Sequence, residues 1–286
     1  MNVWWSAGVP LLLLTMSPHA AQGQANAKQI EKGIETLRAQ PDDKRPAVTA
    51  QLAMQIRDVP PGLDKLKLAD ALTHLSTEGD PGQQTLQAVA DTLAEALLEA
   101  PQAQDKHGDP AEPYMALAKL VRYEGVTTTL NDPQLKQAEQ MLAANDADAA
   151  KADFTLKDLK GKKVTFSELK GKIVLVNFWA TWCPPCRKEM SDLDLIYTHY
   201  QSQGLVVLSL TSENPFTVAR WLDQFGAYHP EVLLDDGGKV AKQFHVDGLP
   251  TTFVYDRDGK LVAKAIDMRT QRQFFGMLAA AGLKPQ

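Results

Sequence analysis

Cysteine is scarce in this chain. Two of 286 residues are cysteine, and both lie within WCPPC, residues 182–186. As a structural staple this pair is poor, because it closes a very short loop and removes little chain entropy. As a zinc site it is half-complete, since zinc takes four ligands. The six histidines, at 19, 74, 107, 199, 229 and 245, show no paired spacing near it. Redox chemistry is the favoured reading. An excess of basic charge is also lacking: Lys and Arg number 30 against 35 Asp and Glu, a formal net charge of −5. That balance points to neither a nucleic-acid binder nor a membrane-surface binder.

Long hydrophobic runs are missing too. Residues 1–25 contain no charged side chain, and their apolar stretch, Val3 to Met16, is interrupted by Ser6 and Pro10. It is shorter than the roughly 20 residues a bilayer span needs. A stretch of this kind followed by small residues reads as a signal peptide, although no Lys or Arg precedes it. Cleavage is expected after Gly23, Ala25 or Ala27, leaving an exported, periplasmic protein with no stable membrane span. No cysteine lies near the cleavage region, so a bacterial lipoprotein anchor is not expected. In an oxidising compartment two lone thiols so close together tend to oxidise.

Residues 26–150 read as an all-helical domain. Helices are expected over Ala27–Ala39, Asp43–Arg57, Leu63–Thr77, Gln83–Ala100, Glu112–Tyr123 and Pro133–Ala144, separated by the turn segments QPDD, VPPG, EGDPG, KHGDP and LNDP. Leu86, Val89, Ala90, Leu93 and Leu97 make one apolar stripe at helical spacing. The spacing of helix starts suggests stacked helical hairpins, without a repeated sequence signature. This half holds 12 Lys and Arg against 20 Asp and Glu, a net of −8. Residues 151–286 hold 18 against 15, a net of +3. NDADAAKAD, residues 145–153, is small and polar like a linker.

From residue 151 strands alternate with helices. Phe154–Leu156 and Val164–Phe166 suggest a hairpin around KGKK. Ile173–Trp179 and Leu205–Leu210 are short apolar runs of buried-strand type. Helices are expected from Pro184 to about Gln201, over Pro215–Phe225 and over Arg269–Ala281. Short strands are expected at 232–234, 251–255 and 261–265, the last two flanking the turn DRDGK. Such alternation argues a mixed α/β sheet covered by helices.

WCPPC follows the strand IVLVNFW and opens a helix. A thiol at a helix N-terminus faces unpaired N–H groups and the positive end of the dipole, which favours its thiolate. On ATWCPPCRKEM, on the preceding KDLKGKKVTFSELKGKIVLVNFW and on the later GLPTTFVYDRDGK, the chain resembles the thioredoxin superfamily, and within it the TlpA/ResA/CcmG group of exported thiol-disulfide oxidoreductases. The resemblance spans roughly residues 152–284 and does not extend to the helical half. It implies a thioredoxin-like fold for residues 151–286. Cys183 then matches the exposed nucleophile, Cys186 the resolving cysteine of one disulfide pair, and Pro250 the cis proline beside it. Trp182, Leu249 and Thr251 match positions that meet substrate. Glu189 matches an acid this group carries after the motif; read on its own, it is equally a first-turn acid favoured by the helix dipole. Where cytoplasmic thioredoxins carry a buried acid in the strand before the motif, this chain has Asn177, so any proton acceptor for Cys186 must come from elsewhere, and Glu189 is the candidate.

The resemblance implies a protein-disulfide oxidoreductase without a bound cofactor or metal, acting on substrate proteins that carry disulfides. Its electrons would come from a membrane thiol reductase. Pro184 and Pro185 offer no N–H to a Cys183 thiolate, so the reduced form is less stabilised and the couple is expected to be reducing. Cytochrome c maturation, rescue of oxidised exported proteins and supply of thiols to a metal centre all fit. Two other readings stay open. A peroxiredoxin-like peroxidase expects a threonine three residues before its cysteine, whereas Thr181 lies two before Cys183. A copper metallochaperone expects CxxxC with a distant histidine; the CxxC here is one residue short, with His229 and His245 as the candidate histidines, and the helical half could equally be an interaction scaffold.

Overall fold

A computed structural model describes residues 18–284, with side chains from residue 26. The apolar stretch Val3–Met16 therefore lies outside the described residues. Among those described, no helix is long and apolar enough to cross a membrane.

Six helices come first: α1 (Pro18–Glu35), α2 (Arg45–Arg57), α3 (Leu63–Ser76), α4 (Gln83–Glu99), α5 (Glu112–Glu124) and α6 (Pro133–Lys151). Helix α1 begins earlier than the sequence suggests and runs through all three expected cleavage points. Each helix packs against the next, and α4 also against α2. The stripe from Leu86 to Leu97 is buried along its whole length. Burying each of its leucines contributes about 1.5–3 kcal/mol, enough to make α4 the centre of the apolar core that runs from Ile30 to Leu142. Local chemistry sets the ends. Asp132 caps α6 by accepting from Gln134 N at 2.7 Å, with Pro133 following in the first turn. Gly125 ends α5 with φ at 67°, which a side chain disfavours.

The expected linker is not a linker. Helix α6 continues past Ala144 to Lys151, through most of 145–153. Those residues are mostly alanine, aspartate and asparagine, and alanine is the strongest helix former. Ala149 is buried in the core of the second half, and its carbonyl accepts from Tyr255 Oη at 2.8 Å. The chain thus enters the second half as a helix already packed against it.

That half is one seven-stranded mixed sheet of β1 (Thr155–Asp158), β2 (Lys163–Thr165), β3 (Ile173–Phe178), β4 (Leu205–Thr211), β5 (Glu231–Leu234), β6 (Thr251–Tyr255) and β7 (Leu261–Ile266), in the order β2-β1-β5-β4-β3-β6-β7. Strands β3, β4 and β5 are parallel; β6 runs antiparallel beside β3, β7 antiparallel beside β6, and β1 antiparallel beside β5. Every residue of β3 is buried, as a central strand covered on both faces requires. Val174, Val176 and Phe178 face one apolar cluster; Ile173 and Leu175 face the other. Helices α7 (Pro184–Tyr200), α8 (Pro215–Phe225), α9 (Lys239–Gln243) and α10 (Gln271–Ala280) complete the half. The second of these clusters includes Leu193 and Ile196 of α7 and Phe274 and Leu278 of α10.

Polar contacts join the two halves. Lys119 pairs with Asp247 at 2.7 Å and Lys188 with Asp42 at 2.6 Å. Lys264 reaches Asp146 at 3.2 Å and Tyr123 Oη at 3.1 Å. Arg272 pairs with Asp80.

Candidate active site

Strand β3 delivers the chain to the site. It ends at Phe178, and five residues later Cys183 occupies the N-cap position of α7, with Pro184 and Pro185 in the first turn. Proline suits that turn because its missing N–H would have no helical partner there. The first amide able to reach back is that of Cys186, which donates to Cys183 Sγ at 3.2 Å. Cys183 and Cys186 form a disulfide with their Cα atoms 5.3 Å apart. The Leu249–Pro250 peptide is cis, and Leu249 O lies 3.7 Å from Cys183 Sγ. Thr251 begins β6, buried, with its hydroxyl donating to Gly248 O at 2.8 Å.

The exposed nucleophile of the sequence reading is a correction. In the oxidised protein Cys183 is only 3% exposed, against 0% for Cys186. Its sulfur is engaged by Cys186, by the Cys186 amide and by the Leu249 loop, and it belongs to an apolar cluster with Trp179, Ala180 and Met190. The exposed group is its neighbour Trp182, 69% accessible. Trp179 is buried instead, its ring 5.4 Å from that of Trp221.

Glu189 lies three residues after Cys186 on α7, hence on the same side of the helix. It is 1% exposed. Asn177 Nδ2 donates to its Oε1 at 2.7 Å, and the Arg269 amide donates to its Oε2 at 3.1 Å. Both bonds favour the carboxylate, yet burial dominates and pushes the Glu189 carboxyl up to about 8. Asn177 itself donates also to Thr252 Oγ1 at 3.0 Å. The asparagine that replaces a strand acid is therefore the hydrogen-bond partner of the acid that α7 supplies. A carboxyl titrating near neutrality, one helical turn from Cys186, has the chemistry to accept a proton.

Two participants carry no signal in the sequence reading. Arg269 acts through its backbone amide, which any residue but proline provides. Glu213, just past the end of β4, accepts from Thr181 N at 2.5 Å and from Thr181 Oγ1 at 2.7 Å, fixing the loop that leads into the disulfide. The threonine weighed for peroxidase chemistry is thus committed to Glu213. The histidines weighed for copper pair with carboxylates: His229 with Asp194 at 3.0 Å and His245 with Asp148 at 3.0 Å.

Residues 147–264 match the AhpC/TSA family. The thiol-disulfide oxidoreductase ResA of Bacillus anthracis is 39% identical over 166 residues, covering 58% of this chain and 93% of that protein. This chain belongs to the ResA family of thiol-disulfide oxidoreductases. ResA of Bacillus subtilis (strain 168) is 39% identical over 111 residues, 38% of this chain and 62% of that relative. Among solved structures, the thiol:disulfide interchange protein DsbE from Chlorobium tepidum aligns at 28% identity, over 46% of this chain and 93% of its own, with a TM-score of 0.43. As a member of this family the protein is a thiol-disulfide oxidoreductase. Its sheet and flanking helices are those of a thioredoxin-like fold, preceded by several helices.

Proposed function

We propose that this protein is an exported reductant of protein disulfides in the periplasm, with Cys183 as nucleophile, Cys186 as resolving thiol and Glu189 as proton acceptor. In the reduced state the Cys183 thiolate attacks one sulfur of a substrate disulfide; a mixed disulfide forms and one substrate thiolate leaves. The Cys186 thiol then gives its proton to Glu189 and attacks Cys183 Sγ, releasing the second substrate sulfur as a thiolate. The dithiol has lost two electrons to the substrate, and the product is the Cys183–Cys186 disulfide present here. A membrane thiol reductase restores the dithiol. Substrate meets the site over Trp182 and Leu249, while the buried Thr251 holds the Gly248 carbonyl behind them. The segment 1–25 serves as the export signal.

The observation that carries the reading is the buried Glu189 carboxyl, held by Asn177 and Arg269 on the Cys186 side of α7. The reducing direction is supported by the helix start. With two prolines between the cysteines, the Cys186 amide is the one donor to Cys183 Sγ within the motif. A sparsely stabilised thiolate makes the reduced form less favourable, the reverse of the strong oxidants. The tests are a potential and a trap. Equilibration with glutathione, followed by Trp179 and Trp182 fluorescence, should give a value nearer the thioredoxin figure of about −270 mV than about −120 mV. A value more oxidising than about −180 mV overturns the reductant reading. In periplasmic extracts Cys186→Ser should accumulate mixed disulfides with exported proteins, and Cys183→Ser should accumulate none.

A further inference from the structure

The turn between β7 and α10 is gripped by the helical half at each of three successive residues. Asp267 accepts from the Thr77 hydroxyl. Met268 O accepts from Gly79 N at 2.9 Å. Arg269 Nη1 donates to Thr77 O at 3.1 Å, and its Nη2 pairs with Glu124 at the end of α5. The Arg269–Glu124 pair is buried, with side chains 5% and 7% exposed. The amide of that same Arg269 donates to Glu189. The family match, residues 147–264, contains neither this turn nor helices α1–α5.

We infer that the helical half is a positioning element of the redox site: through Thr77, Gly79 and Glu124 it holds residues 267–269 so that the Arg269 amide meets Glu189 and the Arg269 charge is neutralised. The inference rests on the reading of Glu189 as proton acceptor and extends it to a part of the chain outside the family match. Glu189 is faced by Asn177 from β3, by Asp192 from its own helix, by Arg269 from the turn and by Tyr228. It also lines a cavity of about 340 Å³ between the halves, to which the helical side contributes Arg45 and Glu78. Burial and Asp192 raise the Glu189 titration; the Arg269 amide and charge and the Asn177 bond lower it. Without the Glu124 charge, the guanidinium acts on Glu189 uncompensated. A turn released from Thr77 loosens the Arg269 amide bond that favours the Glu189 carboxylate. The first change moves the Glu189 titration downward and the second moves it upward.

The test uses the full-length oxidised protein, in which no thiol titrates. Infrared difference titration against Glu189→Gln isolates the Glu189 carboxyl. Glu124→Gln should lower its midpoint by about one pH unit, a tenfold loss of proton affinity. Thr77→Val, which removes the hydroxyl bond to Asp267 and leaves the ion pair, should raise it by a smaller amount; it decides the matter if Glu124→Gln does not fold. A purely structural role predicts reduced stability with an unchanged midpoint, and that result overturns the inference. The Glu189 reading fails separately: if Glu189→Gln leaves the pH dependence of mixed-disulfide resolution intact, Glu189 is not the acceptor, whatever the titration shows of its positioning.

Discussion

Replacing Glu189 by glutamine should change how stability depends on pH. The carboxyl has an ordinary value of 4.5 and is pushed up to about 8 by burial. Its folded value is above its unfolded one, so between these limits the folded state keeps a proton that the unfolded state has released. Stability must then fall as pH rises through this window. At about 1.4 kcal/mol per pH unit, the gap between 4.5 and about 8 corresponds to a loss on the order of 5 kcal/mol. The glutamine side chain cannot titrate, so the Glu189→Gln variant should be spared this loss. It carries a constant penalty of about 1–3 kcal/mol instead, because its NH2 must face one of the two donors, Asn177 Nδ2 or the Arg269 amide. Asp192 and Asp267, also raised by burial, are present in both proteins and cancel. Urea unfolding of the oxidised proteins from pH 5 to pH 9 reads the difference directly. The variant should start less stable than wild type, cross it near the middle of the window and end well above it. Parallel stability curves would refute the burial argument for Glu189.

Three further outcomes follow from the same geometry. Alkylation of the reduced protein at neutral pH should label Cys183 before Cys186, since Cys183 leads α7 and Cys186 is fully enclosed; mass spectrometry of the tagged peptides gives the order. Glu213→Ala should cost about 1–3 kcal/mol by leaving Thr181 N without its partner, and should slow insulin reduction by loosening the loop before the disulfide. A fragment of residues 151–286 should still reduce insulin, because it keeps every buried residue of the sheet's apolar clusters except Ala149. It should unfold at lower urea than a fragment that keeps α6, by about 1–3 kcal/mol, because Tyr255 Oη loses the Ala149 carbonyl.

The parts of this fold that stand out in the sequence are those where one physical requirement dominates. IVLVNFW and LVVLSL are apolar apart from Asn177 and Ser209 because β3 and β4 are covered on both faces. The turns that separate the helices hold proline, glycine and aspartate because the backbone needs them there. The stretch 145–153 misleads because small polar composition suits a linker and a helix alike; what decides is that Ala149 fits beneath Tyr255, a contact 106 positions away. The site divides similarly. Cys183, Cys186, Glu189 and Pro250 are marked by motif and spacing, and the structure brings the cysteines, Leu249 and Pro250 together. What covers Cys183 is not in the motif. The bond between Asn177 and Glu189 needs a strand and a helix to be juxtaposed. Arg269 contributes a backbone amide and so leaves no mark, and its partner Glu124 is 145 positions distant.

The enclosure of Cys183 sets what the oxidised protein can hear. Cys183, 3% exposed, beside Leu249 and next to a freely accessible Trp182, presents a smaller target to a thiol that arrives by diffusion alone than an open disulfide would. A partner that binds over the tryptophan and displaces the Leu249 loop meets a different object. The surface around Trp182 would then select among electron donors before any difference in potential does.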